Sequence, residues 1–339
     1  MNKKPRSVPW LFSCKAMGMP VSYISLFSIL LLLGIGCQTN PEIPKPPVAL
    51  QVPSIYVLGT LQDGGAPHIG CNRPCCRNLF LRPAQDRQVV CLGVTDTDAL
   101  GETVGAMLEA TPDFTKQLNA FQTWANLPLS GIQVLLTHAH IGHYSGLMYL
   151  GREALGGDSI PVKVMPRFRE FLETNGPWDQ LVSLGNIKLL EMAADEPSPL
   201  GDQVSITPLL VPHRDEYSET VGFRVQGPRR AALFIPDINK WAAWERSLES
   251  ELALVDRAYL DATFYDAAEV GHRDMAEIPH PFMVETMELL KNAPASERNK
   301  VHFIHLNHTN PCLDSTSEAY QIVVHNGFHV ARAGDVFEL

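Results

Sequence analysis

Three histidines set close together, His138-x-His140-x-x-His143, carry the densest chemistry in this 339-residue sequence. Imidazole is a good ligand for zinc or iron. Spacings of two and five do not share a helix face, and no straight strand presents all three rings to one side. A strand-to-helix loop can turn them inward, and Tyr144-Ser-Gly-Leu-Met starts a helical pattern directly afterwards. Ligand-type residues also close several apolar runs. Gln133-Val-Leu-Leu-Thr137 leads into His138, Ile206–Pro212 into His213, Ala231–Pro236 into Asp237 and Val301–Ile304 into His305. One such ending carries little weight. Four suggest ligands fixed along one edge of a sheet, where a metal is held with little reorganisation.

The elements that must position these residues follow from hydrophobic pattern. Runs that read as strands are Ile55–Gly59, Val89–Val94, Val104–Leu108, Gln133–Leu136, Val162–Met165, Ile187–Leu190, Val204–Val211, Val221–Val225, Ala231–Ile235, Ala258–Leu260 and Val301–Ile304. Helical patterns cover Asp113–Ala125, Ser145–Ala154, Arg167–Thr174, Lys240–Leu252, Pro281–Lys291 and Ser315–His325. No linker separates them. The alternation predicts one layered α/β domain over residues 51–339, with sheets facing each other and helices outside.

Thr137-His-Ala-His-Ile-Gly-His143 resembles the His-x-His-x-Asp-His motif of the metallo-β-lactamase superfamily. Val57-Leu-Gly-Thr, Met107–Asp113, Asp261-Ala-Thr-Phe-Tyr, Gly271-His-Arg-Asp-Met and Phe303–Pro311 are similar to the coenzyme PQQ synthesis protein B branch. The resemblance implies an α/β fold of four layers, an αββα sandwich of the metallo-β-lactamase type. It implies a first metal site of His138, His140 and His213, a bridging Asp237, and second-site histidines His143 and His305. The superfamily's second-site aspartate is replaced by Gly142, so the sequence predicts one tightly bound metal and at most a weak second one. Glu277 stands where the branch tends to have histidine, with His280 close by; either helps at the metal or sits on a surface loop.

Asp63-Gly-Gly-Ala-Pro-His68-Ile-Gly-Cys71 follows the first strand. Its glycine pair allows tight turning that could bring Asp63 or His68 to the metal, and a plain turn fits equally. Cys71, Cys75 and Cys76 are similar to the branch's structural-zinc cysteines. A disulfide is the alternative, with Cys71 or Cys91 as a partner, because adjacent cysteines rarely bond each other.

The N-terminus has another purpose. Lys3, Lys4, Arg6 and Lys15 precede an apolar run from Val21 to Gly36, a secretory signal pattern too short to span a membrane. Gly34-Ile-Gly-Cys37 resembles a lipobox, so residues 1–36 are predicted to be a signal peptide, with an uncleaved anchor as the alternative. Cys37 is then lipidated, and residues 37–50, rich in proline, tether the domain. This places the protein at the cell envelope through its lipid, in the outer membrane where two membranes exist. Removing four Lys/Arg and no acids gives 23 − 37 = −14. Such a surface repels phosphate backbones and argues against a nucleic-acid partner. The expected activity is metal-dependent, probing a small-molecule substrate. A Zn2+ hydrolase would have Asp237 orient a water or take its proton, with His143 as the other candidate catalytic residue. An Fe2+ oxidoreductase and a binding lipoprotein without turnover are the other readings.

Overall fold

The computed structural model describes residues 53–271 and 273–339. The predicted signal peptide, Cys37 and the predicted tether lie outside the described residues. Among the described residues, no helix is long and apolar enough to cross a membrane.

In chain order the strands are β1 (Ser54–Gly59), β2 (Cys91–Thr97), β3 (Thr103–Leu108), β4 (Ile132–Leu135), β5 (Ile160–Val164), β6 (Ile187–Glu191) and β7 (Ser198–Pro199). They continue as β8 (Ser205–Leu210), β9 (Val221–Gln226), β10 (Ala231–Ile235), β11 (Arg257–Asp261), β12 (Val301–Ile304), β13 (His329–Val330) and β14 (Val336–Glu338). They form two seven-stranded sheets, ordered β14-β1-β2-β3-β4-β5-β6 and β13-β12-β11-β10-β9-β8-β7. Each sheet is mixed: β3 to β6 pair in parallel in the first, and β10 to β13 in the second.

Side-chain alternation along single strands builds the layers. On β1, Ile55 and Val57 point between the sheets while Tyr56 and Leu58 point out towards helices. On β10, Ala232 and Phe234 face the inter-sheet core and Leu233 and Ile235 the other side. Both of these strands are buried on both faces, which is why each reads as a continuous apolar run. The helix Phe114–Ala125 covers the first sheet through Phe114, Gln117, Ala120, Phe121 and Trp124, a spacing of three and four. It packs so close that a Cβ at Gly93 would lie 2.6 Å from the Phe121 ring. The outcome is helix, sheet, sheet, helix, the four-layer αββα sandwich expected from the sequence.

Two helices differ from expectation. The stretch Ser145–Ala154 is 3-10 over Ser145–Leu150 and then ends at Gly151. Gly146 lies against the Thr111 carbonyl, where a Cβ would come within 2.3 Å. The stretch Lys240–Leu252 divides into a 3-10 turn, Trp241–Ala243, and a helix, Leu248–Leu252. Trp244 is extended between them, its indole N–H donating to the Leu210 carbonyl (2.8 Å), and Ser247 caps the new helix by accepting from Ser250 N–H. The short strands β7, β13 and β14 lie at sheet edges or ends and carry too few residues to show a period.

Candidate metal centre

Strand ends converge here. Residues following β4, β8, β10 and β12, with the last residue of β11, meet at one end of the sandwich. His138, His140, His213 and Asp237 form one group whose ligand atoms lie within 4.8 Å of one another. His138 Nε2 is 2.8 Å from His140 Nδ1, and His213 Nε2 is 3.3 Å from the same atom. Asp237 Oδ2 is 3.4 Å from His138 Nε2, 3.1 Å from His213 Nε2 and 4.0 Å from His140 Nδ1. Four ligands at zinc–nitrogen distances would sit about 3.4 Å apart in a tetrahedron. The donor set therefore fits a divalent metal.

A second group, Asp63, His143, Asp237 and His305, shares Asp237 with the first. A third combines Asp237 with Asp261, His280 and His305. His280 Nδ1 is 2.8 Å from Asp261 Oδ2 and 3.1 Å from Asp237 Oδ1. Buried carboxylates stand behind the rings. Glu109 Oε1 accepts from the Thr137 hydroxyl (2.5 Å) and is 3.2 Å from His143 Nδ1. The Thr137 hydroxyl is also 2.9 Å from His138 Nδ1, so one glutamate orients two imidazoles. The Thr263 hydroxyl is 3.0 Å from His305 Nδ1 and donates to Asp261 Oδ1 (2.8 Å). Glu109 and His305 both adopt left-handed backbone, φ 93° and 65°. A non-glycine residue there costs about 1–3 kcal/mol, which the surrounding packing must hold in place.

The electrostatics favour cations. Burial holds His138 well below the usual imidazole range, helped by the neighbouring His143. Burial also lowers His140, with His213 beside it adding to the effect. Burial works against charge on His143, yet Asp63 and Glu109 outweigh it and hold the ring well above its ordinary value. His305 is likewise raised, to about 9, against its burial, by Asp261 and Asp63. Burial opposes ionisation of Asp237, but His280, His138 and His213 keep its carboxyl well below the usual range. Buried carboxylates that draw protons onto imidazoles attract a metal dication by the same field.

His68 does not join this centre. Its ring stacks on His308 (centroids 4.3 Å apart) and its amide donates to Cys76 Sγ (3.3 Å). Glu277 is exposed at the end of the turn Met275–Glu277, which Asp274 caps; the chain then dips inward through buried Ile278 to deliver His280. Asp63, by contrast, lies 3.0 Å from His143 Nε2.

A separate group gathers Cys71, Cys75, Cys76 and His308. Cys75 and Cys76 sit on the helix Pro74–Arg77, which starts with proline at a position needing no amide donor. Sγ of Cys75 is 3.9 Å from those of Cys71 and Cys76. A disulfide needs about 2.05 Å. Tetrahedral thiolate zinc, with bonds of about 2.3 Å, needs sulfurs about 3.8 Å apart. All three are free thiols, as is Cys91, which is buried in β2 against the Leu92 and Glu109 carbonyls. The spacing fits zinc.

Three participants escaped the sequence reading. Glu109 and Asp261 each follow or close an apolar run, the signal that revealed His138 and Asp237. His308 had no such signal, because only the return of the chain after His305 brings it to the cysteines.

A model of the β-lactamase superfamily domain matches residues 107–305. Coenzyme PQQ synthesis protein B of Methylobacterium sp. (strain 4-46) is 26% identical over 307 residues, spanning 82% of this chain and 97% of that protein. The protein of the same name from Xanthomonas euvesicatoria pv. vesicatoria (strain 85-10) is 27% identical over 310 residues, spanning 83% and 98%. Among solved structures, zinc-bound PqqB from Methylobacterium extorquens superposes with a TM-score of 0.68 at 22% identity, covering 84% of this chain and 100% of that one. A diphosphatase of the PhnP family gives a TM-score of 0.56 at 19% identity, covering 85% and 97%. With more than half its length matched by the family model, and the family's fold around a cluster that fits a divalent metal, this chain belongs to the metallo-β-lactamase superfamily.

Proposed function

We propose that the protein is a zinc-dependent hydrolase acting on a small-molecule substrate. The observation that carries this reading is the convergence of His138, His140 and His213 beside the buried carboxylate of Asp237, a three-histidine set that leaves a position for water. A divalent metal bound there would supply Lewis acidity and a nucleophilic water at neutral pH. The remaining work falls to side chains. Asp237 accepts hydrogen bonds on Oδ2 and, with its pKa held low, stays ionised to orient the attacking water. His280 is fixed at Nδ1 by Asp261 and Asp237, which hold it well above its usual pKa against burial. It therefore carries a proton at neutral pH that its other nitrogen can give to a leaving group. The partly exposed edges of His140, His280 and Asp63 mark where a substrate enters.

The second group with zinc chemistry, Cys71, Cys75, Cys76 and His308, is assigned a structural role. It anchors the loop that leads from β1. The acidic sequence supports a substrate other than nucleic acid. The lipobox-like Gly34-Ile-Gly-Cys37 supports attachment at the cell envelope.

Turnover of a panel of esters, lactones and phosphodiesters, before and after chelation and zinc reloading, tests the assignment. Turnover that chelation abolishes and zinc restores is expected. Zinc-independent turnover contradicts it. A buried set of imidazoles and carboxylates also suits iron, which supports a second reading, an iron-dependent oxidative reaction. Iron in natively purified protein, with activity that follows iron, would favour it, because zinc performs no redox chemistry.

A further inference from the structure

Position 142 has no side chain, yet the space a side chain would occupy there is full. A Cβ on Gly142 would lie 2.5 Å from Asp63 Cγ and 2.6 Å from Asp63 Cα. The carboxylate that fills this space comes from the loop after β1, 79 positions away (142 − 63 = 79). Asp63 Oδ1 is 3.0 Å from His143 Nε2 and 3.1 Å from His305 Nε2. Asp237 Oδ2 is 3.8 Å from the same His143 nitrogen. The geometry points to Asp63 as the carboxylate ligand of a second metal ion held with His143, Asp237 and His305. Asp63 would thereby take over the charge that position 142 lacks. This assignment rests on the proposed metal centre and replaces the expectation of a weak second ion.

Backbone contacts fix Asp63 in place. Thr60 and Leu61 N–H both donate to the Gln88 carbonyl (2.9 Å). Gln62 N–H donates to the Leu306 carbonyl (2.9 Å), and Leu306 N–H returns to the Thr60 carbonyl (2.8 Å). The segment before Asp63 is thus paired with the segment after His305, so the two ligands are carried by neighbouring, hydrogen-bonded backbone. Gly64 then clears the His68 ring, which a Cβ would approach to 2.5 Å. The glycine at 142 and the aspartate at 63 depend on each other: any side chain at 142 displaces the loop.

With Asp63 in the set, two carboxylates and two imidazoles face the second ion, enough charge to offset a dication. Without it, Asp237 alone would serve two ions. The competing account is that Asp63 is only an ion-pair partner of His143 and His305. Metal counting separates the two, because a purely structural pair would not change the number of ions bound.

The experiment is elemental analysis of the natively purified full-length chain and its variants after equilibration with zinc and buffer exchange. Circular dichroism and thermal melting confirm that each variant folds. Asp63→Ala should carry one ion per chain fewer than wild type. Asp63→Asn, which keeps the shape, should weaken that ion at least about tenfold in a chelator competition. Gly142→Ala should lose the same ion by displacing Asp63, as should His143→Ala by losing a ligand. His140→Ala reports on the centre as a whole. If His140→Ala loses metal while Asp63→Ala and Asp63→Asn match wild type in count and affinity, the assignment of Asp63 is overturned. If none of these variants, His140→Ala included, changes the count, the metal centre itself is wrong.

Discussion

The two clusters differ in what holds them. The histidine–carboxylate centre sits at the ends of strands from both sheets, and His138, His143, Asp237, Asp261 and His305 are buried. The cysteine group sits on a loop and a four-residue helix, with Cys75 exposed and only Cys76 buried. In the first, the fold orders the ligands before any ion arrives, through the carboxylates behind them. In the second, only local contacts such as Arg77 donating to the Asn72 carbonyl and His68 stacking on His308 order the loop, so an ion there would add much of the ordering. On the proposed reading, one cluster is a preformed site and the other a metal staple.

The largest effects should come from breaking the preformed site. His138→Ala or His140→Ala should reduce turnover at least about 10³-fold, the several kcal/mol that a Lewis acid contributes. The fold should remain intact by circular dichroism. An unfolded variant would show that the centre is a staple too. His280→Gln should lower kcat about 10²-fold with unchanged metal content, as loss of a proton donor does. Loss of metal instead would make His280 a ligand. Glu109→Gln keeps its shape but removes the charge behind His143 and Thr137, and should weaken metal binding roughly 10- to 100-fold by chelator competition.

The staple should respond in the opposite way. Cys76→Ser should lose one bound ion and melt at a lower temperature, yet turn over substrate at close to the wild-type rate once the remaining metals are loaded. A collapse of turnover with the fold intact would tie the loop directly to catalysis. The smallest effect is the pH dependence of the metal-free protein. Folding raises His305 to about 9 from the ordinary imidazole value of about 6.5, so its contribution to stability is complete below about 6.5. That contribution is lost as pH rises through about 9. The metal-free protein should therefore melt progressively lower between pH 6.5 and 9. Over the same range metal binding should tighten, because protons and metal compete for the same imidazole. Melting curves with and without zinc measure both.

The contrast also explains what could be read from sequence. A residue that ends a buried strand is announced by the apolar run before it, so His138, His213, Asp237 and His305 were legible, and Glu109 and Asp261 could have been found by the same rule. His308 could not, and Asp63 showed only through the glycine turn beside it, which a plain turn fits equally. Each reaches its cluster through pairing between segments far apart in sequence, the β1 loop with the chain after β12. Gly142 looked like a missing ligand because a single position cannot show what fills its space. The helices broke where tertiary contacts outweighed periodicity, as at Trp244 and Gly146.

An anomalous difference map at the zinc edge, from crystals of the natively purified protein, tests the central claim most directly. A peak should lie among His138 Nε2, His140 Nδ1, His213 Nε2 and Asp237 Oδ2, with others between Asp63, His143 and His305 and among Cys71, Cys75, Cys76 and His308. Those three histidines and Asp237 closing on one another, with no anomalous peak after soaking in zinc or iron, would contradict it.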